Sequence, residues 1–158
     1  MNIFFLEKDP RLCAQAHVDR HVVKMILESS QLLETAHIVN NSVTPYHTGT
    51  IGWKNHKCAV WVRESRANYE WLCDLGVELC KEYTNRYGKI HSYVERFSWY
   101  KNNVPNIPDI GMTTPAMAIE KSCIIEGDPI GSYRKYYNTC KRHLFNWKSG
   151  IIPEWVAI

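Results

Sequence analysis

A chain of 158 residues, 45% hydrophobic and 22% charged with a formal charge of +3, suits an ordinary globular protein and excludes a disordered or fibrous one. No run approaches the roughly 18 apolar residues of a membrane span, and the opening MNIFFLEKDP lacks the basic start and long apolar core of a signal peptide. The expectation is a chain with no membrane partner and a cytoplasmic location, host cytoplasm if viral. Six cysteines in no CxxC spacing read as free buried thiols, with Cys73 and Cys80 on one helical face.

Asn2 to Leu6 is a short apolar stretch, read as a strand or extended arm. Asp9-Pro10 then supplies a capping aspartate followed by proline at the first helical position, and predicts a long helix from Pro10 to about His37. Residues 40–55 break the periodicity with asparagines, glycines and a proline and read as a loop. From Lys57 to about Tyr87, Trp61, Val62, Tyr69, Leu72, Cys73, Gly76, Leu79, Cys80 and Tyr83 repeat at helical spacing, and Gly88 reads as a left-handed cap. Residues 90–101 suit another helix, and NNVPNIPDIGMTTP a structured loop. Thr114-Pro115 and Asp128-Pro129 repeat the cap-then-proline signature and predict helix starts, the second helix running toward Trp147. The expected fold is mainly α: one compact helical domain over residues 1–158 with a short N-terminal extended arm.

In the first helix, Ala14, Val18, Val22, Met25, Leu32 and Ala36 form an apolar stripe, while His17, His21, Lys24, Glu28, Gln31 and Thr35 form a polar one bordered by Val23 and Leu27. Imidazoles, an amine, a carboxylate and an amide in succession suit the wall of a cleft, although an exposed face with a Lys24–Glu28 pair has the same pattern. His17 and His21 have HxxxH metal spacing without a third ligand close in sequence, so no metal is assigned. His56, Arg63 and neighbouring arginines cluster at a helix start, where anions are favoured, and Arg86 and Lys89 flank a glycine turn. From Tyr133 to Lys148, Arg134, Lys135, Lys141 and Arg142 alternate with aromatics and no acidic residue intervenes. That pattern suits cations on phosphates and Tyr136 or Tyr137 stacked on a base.

The order of these features resembles the pyrimidine-dimer DNA glycosylases of the endonuclease V type, on LCAQAH at Leu12 to His17, NHKCAVWVRES, NRYGK, and SYRKYY at Ser132 to Tyr137. The chain is similar also to a group of uncharacterised tailed-phage proteins, a resemblance that carries no activity. The first resemblance implies a DNA-acting enzyme that attacks the sugar C1′ with an N-terminal amine, forms a Schiff base and is assisted by a helix glutamate. Here Asn2 is too large for efficient removal of the initiator methionine, which leaves the amine on Met1. Lys24 lies nearest the place of the family's glutamate, with Glu28 one turn later. The leading expectation is therefore excision or binding of an altered base in DNA as an N-glycosylase/lyase. Lys24 is read as amine or phosphate contact, Glu28 as carboxylate, and His21 as an acid–base group. His17, Gln31, His56, Arg63, Arg86, Lys89, Arg134, Lys135, Tyr136, Tyr137, Lys141 and Arg142 are read as binding residues, and no cofactor is called for. The alternative is a non-catalytic binder of a nucleotide or phosphorylated signalling molecule; neither reading fixes the oligomeric state.

Overall fold

The computed structural model describes residues 1–46, 53–148 and 151–158. Its helices are α1 (Pro10–Ala16), α2 (Asp19–Val39), α3 (Lys57–Glu64), α4 (Arg66–Tyr87), α5 (Val94–Asn102) and α6 (Pro129–Tyr136). Short 3-10 turns sit at Lys121–Cys123 and Arg142–Leu144, and α6 runs on into a π-helical turn at Tyr137–Lys141. Among the described residues there is no strand. The fold is mainly α, with the predicted extended arm at its N-terminus.

The arm lies inside the core rather than on it. Ile3, Phe4, Phe5 and Leu6 are all buried, and Phe5 packs 4.3 Å from Trp71 between ring centres. Helix α4 is the central element, packing against α1, α2, α3 and α5. Its approach to α5 depends on Gly76, because a Cβ there would stand 2.1 Å from Phe97 Cε1. All six cysteines are free; five are buried and Cys140 is half-buried.

The two long predicted helices are each broken once. Asp9 caps α1 by accepting from Leu12 N at 2.9 Å with Pro10 in the first turn, as the sequence indicates. The chain then turns extended at His17 and Val18 before α2 begins. The cause is tertiary. Arg86 of α4 donates to His17 O at 2.7 Å and Gln15 O at 3.0 Å, and pairs with Asp19 at 3.0 Å. Those bonds satisfy the Gln15 and His17 carbonyls, which the break takes out of the helical ladder. At the second break, Ser65 is extended, caps Ala67 N at 3.2 Å and bonds Gly111 O, while Arg66 N donates to Pro108 O at 2.8 Å.

Gly88 ends α4 as expected, with φ 66° and its N–H on Thr84 O at 2.8 Å. Asp128 likewise caps α6 through Gly131 N at 2.8 Å. The helix predicted at Thr114-Pro115 does not form. Its backbone is held as an extended strap: Thr113 N donates to Asn68 Oδ1 at 3.0 Å, Trp61 Nε1 to Thr113 O at 3.3 Å, and Tyr133 to Ala116 O at 2.8 Å. Side chains of α3, α4 and α6 thus replace the intrahelical bonds that the local sequence favours.

Candidate amine and carboxylate site

Glu28 sits in the third turn of α2 and is 8% exposed. Three nitrogens converge on its carboxylate. Asn2 N donates to Oε2 at 3.0 Å, the Met1 amine lies 3.8 Å from the same oxygen, and Lys24 Nζ lies 3.3 Å from Oε1. The lysine is reaching in from solvent, its side chain 65% exposed, whereas the Met1 side chain is packed to 2%. Helical spacing puts Lys24 and Glu28 on one face, and the buried arm brings the amine to them.

His56 borders this group as the cap of α3, its Nδ1 accepting from Cys58 N at 3.2 Å. Burial, then the positive Met1 amine, pushes its imidazole down, with Glu28 pulling the other way. An unprotonated Nδ1 is what the cap requires. Lys57 adds a further positive charge close enough to act on both His56 and Cys58. Burial pushes the Cys58 thiol up to about 11, so it is no nucleophile near neutral pH.

One turn below Lys24, His21 is stacked on Phe4 with ring centres 4.3 Å apart, and its Nδ1 shares a 2.6 Å hydrogen bond with the Tyr137 hydroxyl. Burial first, and then the charges of His17, Lys141, Lys24 and His143, lowers it to about 3. An imidazole held so low is neutral and a poor proton acceptor near pH 7. What His21 does mark is convergence: Lys24 from α2 and Lys141 from the π-helical turn share one neighbourhood. Tyr136 belongs to it, half-buried, with Lys141 Nζ 5.1 Å from its ring centre and Phe4 at 6.5 Å.

Several other predicted site residues have structural employment. His17 is wholly buried, bonds Cys13 O at 2.6 Å and is lowered to about 4, chiefly by burial. Tyr137 is 0% exposed and has no face for an incoming base. Arg86 is consumed by Asp19, Glu82 and two carbonyls at the break between α1 and α2. Arg134 donates to Leu6 O at 3.0 Å and pairs with Glu7 beside a cavity of about 710 Å³ that Trp155 also lines, away from Glu28. Arg63 is partly buried, and its Nη1 has no partner among the described residues; Lys135, Lys89 and Gln31 are exposed, and Arg142 edges a separate groove of about 360 Å³. Among the described residues no group of three His, Cys, Asp or Glu could hold a metal ion. No helix there is long and apolar enough to cross a membrane.

The structure also enlists residues that sequence periodicity passed over. Asn2 and Tyr133 meet through a 2.9 Å hydrogen bond across 131 positions of chain, and no local pattern announces such a pair.

A family model described as pyrimidine dimer DNA glycosylase matches residues 1–95, more than half of the chain. The chain belongs to that family. As a member of the pyrimidine dimer DNA glycosylases it has, at family level, a DNA-acting, glycosylase-like role, with DNA as its partner. The matched residues include the arm, Lys24, Glu28 and His56, and leave out Tyr136 and Lys141. No curated protein and no solved structure matches the chain.

Proposed function

We propose that the protein excises an altered base from DNA by covalent amine catalysis, with the α-amine at Met1 as nucleophile and Glu28 as the carboxylate that serves it. The observation that carries this reading is the placement of that amine 3.8 Å from a nearly buried carboxylate. The amine nitrogen bonds to C1′ as the glycosidic bond breaks, its electron pair leaving with the base. One N–H proton goes to the departing base and the other to O4′ as the sugar ring opens, leaving an imine. That imine then acidifies the C2′ proton and permits β-elimination of the 3′ phosphate. Glu28 takes the proton that frees the amine from its ammonium form and passes it to water; as a carboxylate again, it steadies the positive charge that develops on nitrogen.

Lys24 competes for the same role from 3.3 Å. The α-amine is preferred for its placement. The Met1 side chain is packed, whereas Lys24 is free to swing toward a phosphate. Lys24, Lys57 and Lys141 then hold the DNA backbone, with Tyr136 against a base.

Borohydride trapping on DNA that carries an abasic site or a pyrimidine dimer tests this, with peptide mapping of the adduct and intact mass to establish the N-terminal residue. An adduct at Met1 is expected. An adduct at Lys24 transfers the nucleophile to α2, and no adduct at all removes the imine.

A further inference from the structure

The side chain beside the amine is engaged through both its oxygen and its nitrogen. Asn2 Oδ1 accepts from Ile3 N at 2.8 Å and from the Tyr133 hydroxyl at 2.9 Å, with Cys58 Sγ at 3.7 Å, and Nδ2 donates to Ala118 O at 3.1 Å. Tyr133 has no exposed surface; its one hydroxyl proton is shared between Asn2 Oδ1 and Ala116 O at 2.8 Å, and its oxygen accepts from Ala118 N at 3.4 Å. Two of these partners, Ala118 of the strap and Tyr133 of α6, lie beyond the residues 1–95 that the family model matches.

We propose that Tyr133 is a positioning residue for the nucleophilic amine and acts through Asn2; this rests on the imine reading above. The hydroxyl touches neither the amine nor any place a sugar could reach. It fixes the Asn2 side chain, which fixes the Asn2 main chain, whose N–H is then held 3.0 Å from Glu28 Oε2. Between that N–H and the amine the soft torsion is rotation about the Met1 Cα–C bond, and the packed Met1 side chain opposes it. The amine is therefore placed before DNA arrives, and the geometry is not assembled at the moment of attack. Loosening Asn2 frees the peptide N–H to leave the carboxylate and lets the amine move with it.

Single-turnover trapping on abasic DNA separates positioning from mere support of the fold. Tyr133→Phe is expected to lower the trapping rate constant by roughly tenfold or more, because sub-ångström misplacement is costly in such reactions. The trapped fraction at completion, which counts folded sites, and the Kd for DNA are expected to stay at wild-type values. Asn2→Leu cuts the same link from the other side, and the double variant should be no slower than either single, since both remove one chain of contacts. Reductive methylation with 13C-formaldehyde gives an independent reading without DNA. The α-amine should show one shifted resonance in the wild type and a peptide-like one in Tyr133→Phe. A Tyr133→Phe protein that traps at the wild-type rate, or rate losses that multiply in the double variant, overturns the proposal. If Tyr133→Phe fails to fold, Asn2→Leu with an unaltered rate and methyl resonance overturns it equally. A wild-type protein that traps nothing removes the imine reading instead, and the methyl resonance still decides whether Tyr133 holds the amine.

Discussion

Arg86 and Asp19 meet at 3.0 Å inside the protein, the guanidinium side chain wholly buried, at the point where α1 ends and α2 begins. Around that pair three more guanidinium N–H groups are used: Nε goes to Glu82 at 2.9 Å, Nη1 also reaches His17 O and Nη2 reaches Gln15 O. Asp19 is shared in turn with Asn146 Nδ2 at 2.7 Å and Lys148 N at 3.0 Å.

Arg86→Met should therefore destabilise the fold by about 3–5 kcal/mol, the cost of leaving a buried carboxylate without its partner. Arg86→Lys should recover little, because a point charge cannot serve two carboxylates and two carbonyls at once. Urea denaturation measures both, and DNA affinity per folded molecule should stay unchanged.

Stability should fall in mild acid. His17, lowered to about 4 chiefly by burial, ordinarily titrates near 6.5 when unfolded, so between those values the unfolded chain binds the extra proton. The contribution is thus complete above pH 6.5, declines as pH drops, and is exhausted near pH 4, with a size on the order of 3 kcal/mol for this group. His37, also lowered to about 4 by burial, steepens the same slope. Melting curves at intervals between pH 7 and 4 should show it, and His17→Gln should flatten it by about one proton.

Glu28→Gln should leave a folded protein that still holds DNA, with imine formation slowed by at least 10²-fold. The amide keeps an oxygen for Asn2 N but cannot accept the amine's proton. Equal losses in DNA affinity and trapping rate would count against a chemical role for the carboxylate.

Two cations of the same sequence run should behave oppositely. Lys141→Ala should weaken DNA binding and reduce the salt dependence of log K by about one ion, as expected for a phosphate contact. Arg134→Ala should lower stability and leave the salt slope unaltered, since its guanidinium is spent on Leu6 O and Glu7. Fluorescence titrations at several salt concentrations distinguish them.

What the sequence disclosed was local. The Asp9 and Asp128 caps, the Gly88 stop, and the apolar stripe from Ala14 to Ala36 all depend on neighbours within a few positions, and the structure has them as read. The breaks at His17 and Ser65 were hidden because periodicity runs straight across them. Only a guanidinium 69 positions away and a carbonyl 46 away reveal why the helix stops. Lys24 and Glu28 were legible as a pair. Their relation to the amine was not, because it depends on burying the arm under α6. Among the basic residues, composition could not tell Arg134, tied to Glu7, from Lys141, which lies over Tyr136.

The bond between Asn2 and Tyr133 spans 131 positions. Contacts of such separation carry a large loop-closure entropy and tend to form late in folding. On the ribosome, the first residues to emerge must wait for almost the last helix before their terminal nitrogen is seated. A nascent chain therefore cannot make this contact until its synthesis has passed α6, and under the proposed imine chemistry an organised amine would arrive together with the closing of the core.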